Sequence, residues 1–425
     1  MVLNWLSRFR SPVYFILLLA IIATAVLTWY NINSILIIAL LFFRLVESIL
    51  EKRFMLAFRN SFMLSCFLLL LFKAVGLLYT HDLPFGWYLL QKTATLAAIP
   101  FIILSGNFTN SSGRKKIMTA FCGILFVISF YCLLANLVLY NSQQNSSLFF
   151  YHSLVTPVSQ HAVYFSVFTC FAILFLLSSK MRGFDQMPQW ERPVRIFLII
   201  YFIGFTVLLA SKLMLVLLFL MLLASINKKI LPIAGVIAAV FIIFVGVTNN
   251  PIKKRYLDIA ERPIKNEPIS PGTAFNGVQL RLLQWKFAHQ ILNENHAWLI
   301  GVSPGDAQHL LDKKYIDANM YLGQPGSPDR GFLNYEFHNQ YIEQLVQSGI
   351  VGLILLLFSC YALIQLSIKI RTMEAGFTVI ILLAIFFTES SFQMQNGLFL
   401  YAFFPPMLIF IREKENTETS TPAIV

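Results

Sequence analysis

A histidine at the head of an apolar run is the first feature with chemical potential. The stretch His338-Asn339-Gln340-Tyr341-Ile342-Glu343-Gln344-Leu345-Val346-Gln347-Ser348-Gly349-Ile350-Val351-Gly352 passes from polar to apolar. At helical spacing His338, Tyr341, Ile342 and Leu345 share one face, and Gly349 and Gly352 leave room for another helix. The positive end of a helix dipole disfavours a protonated histidine, so His338 is expected to be neutral and able to accept a proton. An interfacial histidine that only caps a membrane helix has the same pattern.

Ionisable residues inside apolar runs are costly and mark function or pairing. Arg44 and Glu47, three apart, read as a local ion pair. Lys73, Lys92, Lys212 and Glu389 all fall toward the same side of the membrane in the topology derived below. Three lysines at one depth suit an anionic group held at that surface. Separate snorkelling of each to its interface explains Lys73 and Lys92 equally well. The five cysteines all lie in apolar runs, which argues against a disulfide framework or a cysteine-based metal site. Lys253, Lys254 and Arg255 read as a cluster near lipid headgroups.

The elements that must position these residues are membrane helices. The chain has 425 residues, 57% hydrophobic and only 12% charged, against about 25% charged in a soluble domain. The formal charge of +12 fits retained cytoplasmic loops better than nucleic-acid binding. Runs of spanning character occur at 13–30, 34–50, 61–79, 89–105, 117–140, 161–179, 196–210, 213–225, 230–247, 342–366, 377–393 and 397–411. An all-α integral membrane protein of about twelve spans, with one large external loop containing short helices, is expected. Ala23-Thr24-Ala25 resembles a cleavage site, but the apolar stretch continues past it, so the first helix is expected to be retained.

Lysine and arginine assign the sides. Clusters at Arg8/Arg10, Lys52/Arg53/Arg59, Arg114–Lys116, Lys180–Arg195, Lys228/Lys229, Lys369/Arg371 and Arg412/Lys414 fall on alternate connections, and the connections 31–33, 80–87 and 141–160 between them lack both residues. Both termini are therefore expected in the cytoplasm. Parity requires that the run 196–225 break at its only polar pair, Ser211-Lys212, as a tight external hairpin. Residues 1–247 then form a bundle of about nine helices, 248–337 an external loop, and 338–425 the last membrane helices. Within the loop, Leu280, Leu283, Phe287 and Ile291 recur at helical spacing over 277–293.

At this point the chain resembles a known family. His338-Asn339-x-Tyr341 followed by Gly349-x-x-Gly352 looks like the signature of the O-antigen ligase and O-antigen polymerase superfamily. Arg281-x-x-x-Trp285 and Ile300-Gly301-Val302-x-x-Gly305 are similar to the family's external-loop pattern, and His161-x-x-Tyr164 to a recurring span opening. The family's external hairpin has Ser-Arg where this chain has Ser211-Lys212, which keeps the charge but loses the bidentate fork.

The resemblance implies transfer of a glycan from an undecaprenyl-diphosphate carrier to an acceptor hydroxyl, in the periplasm, by a multi-pass protein of the bacterial inner membrane. The acceptor is lipid A–core, another repeat unit or a protein, and no nucleic acid or cofactor is implied. His338 is then the candidate base and Arg281 the catalytic cation, with Ser211 and Lys212 helping to bind the diphosphate. Tyr341, Lys73 and Lys92 are further substrate-binding candidates. Trp285 stacks on sugar or rests at the interface, and His161 is either helix-end architecture or a substrate contact. No Asp-x-Asp occurs in the chain, which speaks against a divalent-metal diphosphate mechanism. A transporter or flippase of lipid-linked glycan is the alternative, although no matching halves are visible. A nonenzymatic assembly protein is the third.

Overall fold

A computed structural model describes residues 2–52, 54–105, 111–181, 191–225, 269–324, 326 and 329–410. The expected span 230–247, the clusters Lys228/Lys229, Lys253–Arg255 and Arg412/Lys414, and the start of the loop lie outside the described residues. The described residues form helices joined by turns and loops, with no strand among them. In chain order the helices are α1 (Val2–Val26), α2 (Tyr30–Leu50), α3 (Phe54–Phe58), α4 (Ser61–Gly76), α5 (Leu83–Thr93), α6 (Thr95–Leu104), α7 (Ser111–Gln143) and α8 (Tyr151–Val155). There follow α9 (Ala162–Met181), α10 (Glu191–Leu209), α11 (Lys212–Ser225), α12 (Gly277–Glu294), α13 (Ala307–Asp317), α14 (Gln340–Ile370), α15 (Met373–Phe386) and α16 (Gln395–Pro405).

Among the described residues, five stretches are long and apolar enough to cross a membrane: Tyr30–Leu50, Leu83–Leu104, Gly113–Gln143, Glu191–Leu209 and Gln340–Ile370. The pair Tyr151–Val158 and Ala162–Ser178, bent by 85°, makes a sixth if counted as one span, and four apolar helices are shorter. The run expected at 89–105 begins earlier, because Asp82 caps it by accepting from the Phe85 amide at 2.9 Å and a proline follows in the first turn.

A helix that is apolar all round belongs at the centre of a bundle. α9 and α16 are such helices, buried over nearly their whole described length. They meet where Phe171 stacks on Phe404 with centroids 4.0 Å apart, and α7 joins through Phe121 at 5.3 Å. Arg44 and Glu47 form the expected ion pair, fully inside, with Tyr14 donating to Glu47 at 3.0 Å. Arg114 reaches Glu374 at 3.5 Å, tying α7 to α15.

The run 196–225 does break where parity required it. α10 ends at Leu209, Ala210 takes a left-handed φ of 47°, and α11 starts at Lys212. Phe165 packs on Phe205 and Thr206 donates to Thr169 at 2.7 Å, so this turn lies at the His161 end of α9.

The connecting segment has a core of its own. Phe287, Ile291 and Leu292 of α12 meet Leu311 and Tyr315 of α13 and Phe337 and Val346 beside and within α14. α12 is the amphipathic helix read from the sequence, and Asn276 and Gln279 close a capping box at its start. α14 is broken at Gly349 (φ 63°, ψ −167°). Instead of another helix, the non-helical stretch 298–303 docks there. Its backbone bonds with Val346, Gln347, Ile350 and Val351 replace the lost helical ones. The same stretch is held to the α4–α5 turn, where the Tyr79 hydroxyl donates to the Ile300 carbonyl at 2.6 Å. Asp306 accepts there from the backbones of His81 and Asp82 and from Ser303. Those bonds outweigh burial and hold its carboxyl below the usual range.

Candidate active site

The site forms where α12 and the head of α14 meet the polar turn after α15. α15 stops at Phe386, short of the run expected to 393, which leaves Glu389 in the turn. The segment from Glu389 to Asn396 is almost wholly buried although most of it is not α-helical. Such backbone survives inside a bundle only when protein groups satisfy it. Here the Phe392 amide donates to the Gln340 side chain at 2.6 Å, and the Lys92 ammonium donates to the Gln393 carbonyl at 2.5 Å.

Glu389, only 8% exposed, is the focus. Arg281 Nη2 lies 3.8 Å from its Oε1, and His338 Nδ1 lies 3.8 Å from its Oε2. His161, at the head of α9, is close enough to add to the field there. A buried carboxylate needs such compensation, since an unpaired charge out of water is expensive.

Each partner is placed by its own element. Arg281 sits one turn into the capped α12 and donates through Nε and Nη2 to the Thr388 carbonyl at 3.3 and 3.0 Å. Its Nη1 donates to Gly277 O at 2.8 Å. A guanidinium carries five N–H donors, so donors remain beyond these three bonds. Trp285, one turn on, donates its indole N–H to the Phe337 carbonyl at 3.2 Å, which ties α12 to the residue before His338. His338 itself takes a left-handed φ of 49°, a conformation in which histidine is enriched and which marks a constrained position. Its ring meets Tyr335 edge-on at 6.0 Å. The cap of α14 is not His338 but Asn339, whose side chain accepts from Tyr341 N and Ile342 N.

Not every expected residue joins. The Tyr341 ring packs on Phe387 and Phe386 at 4.9 and 5.9 Å, in the bundle core rather than on a shared face with Ile342 and Leu345. Lys73 is buried and donates to Thr93 Oγ1 at 3.1 Å, a bond between neighbouring helices. Lys92 reaches the site through Gln393. Ser211 is buried in its turn and Lys212 half-buried at the start of α11, which packs against α9 and α15. His161 lies edge-on to His152 at 4.4 Å and tilted against Tyr164 at 5.6 Å.

Two further acids were not singled out from the sequence. Glu343 is buried at the head of α14, accepting from Gln347 at 2.7 Å and from the Phe337 amide at 3.4 Å. Glu336 lies in the loop before His338. Burial, then the neighbouring carboxylates of Glu343 and Glu389, push its pKa well above the usual glutamate range, with Lys92 opposing. The signal available in sequence was the spacing of acids around His338.

The arrangement brings a histidine ring and a guanidinium with donors to spare against one buried carboxylate. The family model described as O-antigen ligase matches residues 159–357. A little under half of the chain is thus similar to the O-antigen ligase domain. This supports its place in the O-antigen ligase/polymerase superfamily, as a bacterial membrane protein with a role in glycan transfer. No curated protein matches the chain. The matched region of this O-antigen ligase-like chain holds His161, Ser211, Lys212, Arg281, Trp285, His338 and Tyr341. Lys92 and Glu389 lie outside it and come to the site only through folding, while Lys73, also outside it, stays bonded between α4 and α5.

Proposed function

We propose that the chain transfers a glycan from an undecaprenyl-diphosphate donor to an acceptor hydroxyl at the outer face of the bacterial inner membrane. The carrying observation is that Arg281 and His338 approach opposite oxygens of the one buried carboxylate, Glu389. In this reading His338 points Nδ1 at Glu389 and offers Nε2 to the acceptor. The acceptor O–H gives its proton to Nε2 as its oxygen attacks the anomeric carbon. The bond from that carbon to the diphosphate oxygen breaks, and the leaving group departs with the electron pair. Arg281 neutralises the charge that develops there, with Lys212 assisting from the α10–α11 turn. Glu389 stabilises the imidazolium and keeps Arg281 in place. Geometry of 3.8 Å is loose for a hydrogen bond, as catalytic contacts often are before substrate binds.

The same reading includes the twelve-span plan, cytoplasmic termini, and a periplasmic 248–337. It needs no metal, because the diphosphate is met by side-chain cations. Lipid A–core, a second repeat unit or another glycan serves as acceptor. The test is reconstitution of the purified chain with a defined undecaprenyl-diphosphate-linked glycan and each acceptor in turn. Glycosylated acceptor and released carrier diphosphate are expected. Transport of the lipid-linked glycan across the bilayer with no new glycosidic bond would overturn the reading in favour of a flippase.

A further inference from the structure

One wall of the site is built from groups that the transfer mechanism leaves unused. Tyr30, the first residue of α2, and Tyr88 on α5 are 36% and 54% exposed. Tyrosines at helix ends commonly belong to an interfacial belt. These two differ because buried polar groups back them. Asn396 donates to the Tyr30 hydroxyl at 3.1 Å and to Gln160 Oε1 at 2.5 Å. Lys92 lies over the Tyr88 ring at 5.0 Å while donating to the Gln393 carbonyl.

Gln393 and Asn396 are both more than nine-tenths buried, yet Gln393 Nε2 and Asn396 Oδ1 have no partner among the described residues. A buried polar atom without a partner is disfavoured, and such atoms call for a role. The wall is continuous with the reacting centre. Gln393 ends the 3₁₀ turn that follows Glu389, and Tyr164 lies within electrostatic reach of both Glu389 and Tyr30.

We propose that this wall is a glycosyl-binding subsite that holds the donor's sugar ring beside its diphosphate. A pyranose presents a C–H face, which suits the Tyr30 and Tyr88 rings, and a rim of hydroxyls that both donate and accept. Carboxamides offer both functions in one group, and Gln393 and Asn396 each have one unspent. The wall suits sugar rather than phosphate, because its cation, Lys92, is already engaged with Gln393 and Tyr88. The subsite rests on the glycosyl-transfer reading above.

The test is affinity of the full-length protein in nanodiscs for undecaprenyl diphosphate and for the same lipid carrying a glycan. Wild type is expected to bind the glycan-bearing lipid at least about tenfold more tightly, the equivalent of one or two stacking or hydrogen-bonding contacts. Tyr88→Leu and Asn396→Leu should erase that preference and leave sugar-free binding unchanged, whereas Tyr88→Phe should retain it. Equal affinity of wild type for the two lipids, or an unaltered preference in both leucine variants, overturns the subsite while leaving the transfer reading standing. Equal weakening of both lipids by the leucine variants also overturns it, since the wall would then serve the diphosphate or the fold. Wild type that binds neither lipid overturns the transfer reading and the subsite together.

Discussion

Replacing Gly349 by alanine should unseat the head of α14, and with it His338. The residue has φ 63° and ψ −167°, a region open to glycine and costly by about 1–3 kcal/mol for other residues. A Cβ there would lie 2.3 Å from Leu299 C and O and 2.4 Å from Ile300 N, all backbone atoms of the docked stretch. Gly301 faces it with φ 78°, and its own Cβ would meet Ser348 N at 2.3 Å, so neither strand can yield toward the other. Relief requires separating the two, which gives up the bonds Val302 N–Val346 O, Ser303 N–Gln347 O, Ile350 N–Trp298 O and Val351 N–Leu299 O. At about 0.5–1.5 kcal/mol each, these add several kcal/mol to the strain. The total is a large share of the about 5–15 kcal/mol that holds a typical domain together. The assay is thermal unfolding of the detergent-solubilised protein beside transfer activity. A melting point lower by at least about 5 °C is expected, with activity falling before the bundle unfolds. Gly376→Ala is the control, because that helical glycine has nothing within 4 Å of its Cβ position, and alanine there should be neutral or slightly stabilising. Gly349→Ala melting with wild type and fully active would refute the argument.

His338→Ala should lower the single-turnover rate by about 10²–10⁴-fold with donor binding preserved, and the loss of activity on acidification should vanish from the residual rate. An unchanged acid limb in the variant would mean that the base lies elsewhere. Arg281→Ala should abolish turnover in correctly inserted protein, whereas Lys212→Arg should be tolerated or improve it; kinetics with a defined donor checks both. Glu336 binds its proton more tightly when folded, so the folded chain holds more protons than the unfolded one above the ordinary glutamate range. That makes wild-type stability fall as pH rises toward the raised pKa, and Glu336→Gln should flatten this fall in melting curves at stepped pH. For topology, a cysteine at Asn276 should react with a membrane-impermeant reagent in intact cells and one at Asn227 should not; the reverse pattern defeats the assignment.

Much of the local structure was legible in the residues. The spacing of Leu280, Leu283, Phe287 and Ile291 described the buried face of α12, because helical periodicity is a local property that burial preserves. The polar pair at Ser211-Lys212 located the break between α10 and α11, since the alternation of basic loops left no other place for a turn. The residues around His338 and Arg281 marked the site by type and spacing. Which groups those residues face was decided only by the fold. Glu389 was visible as an acid in an apolar run, but its position between Arg281 and His338 depends on three elements distant in sequence packing together. Tyr341 shared a helical face with Ile342 on paper, yet its ring went to Phe386 and Phe387 because α15 occupies that side of α14. Gly349 announced a close approach, but not that a turn of the preceding loop would make it, since a missing Cβ admits a loop or a helix equally. A periodic pattern states which face seeks an apolar neighbour. The identity of the neighbour, and of the polar atoms left to face one another, is a property of contacts between elements that no single stretch of sequence encodes.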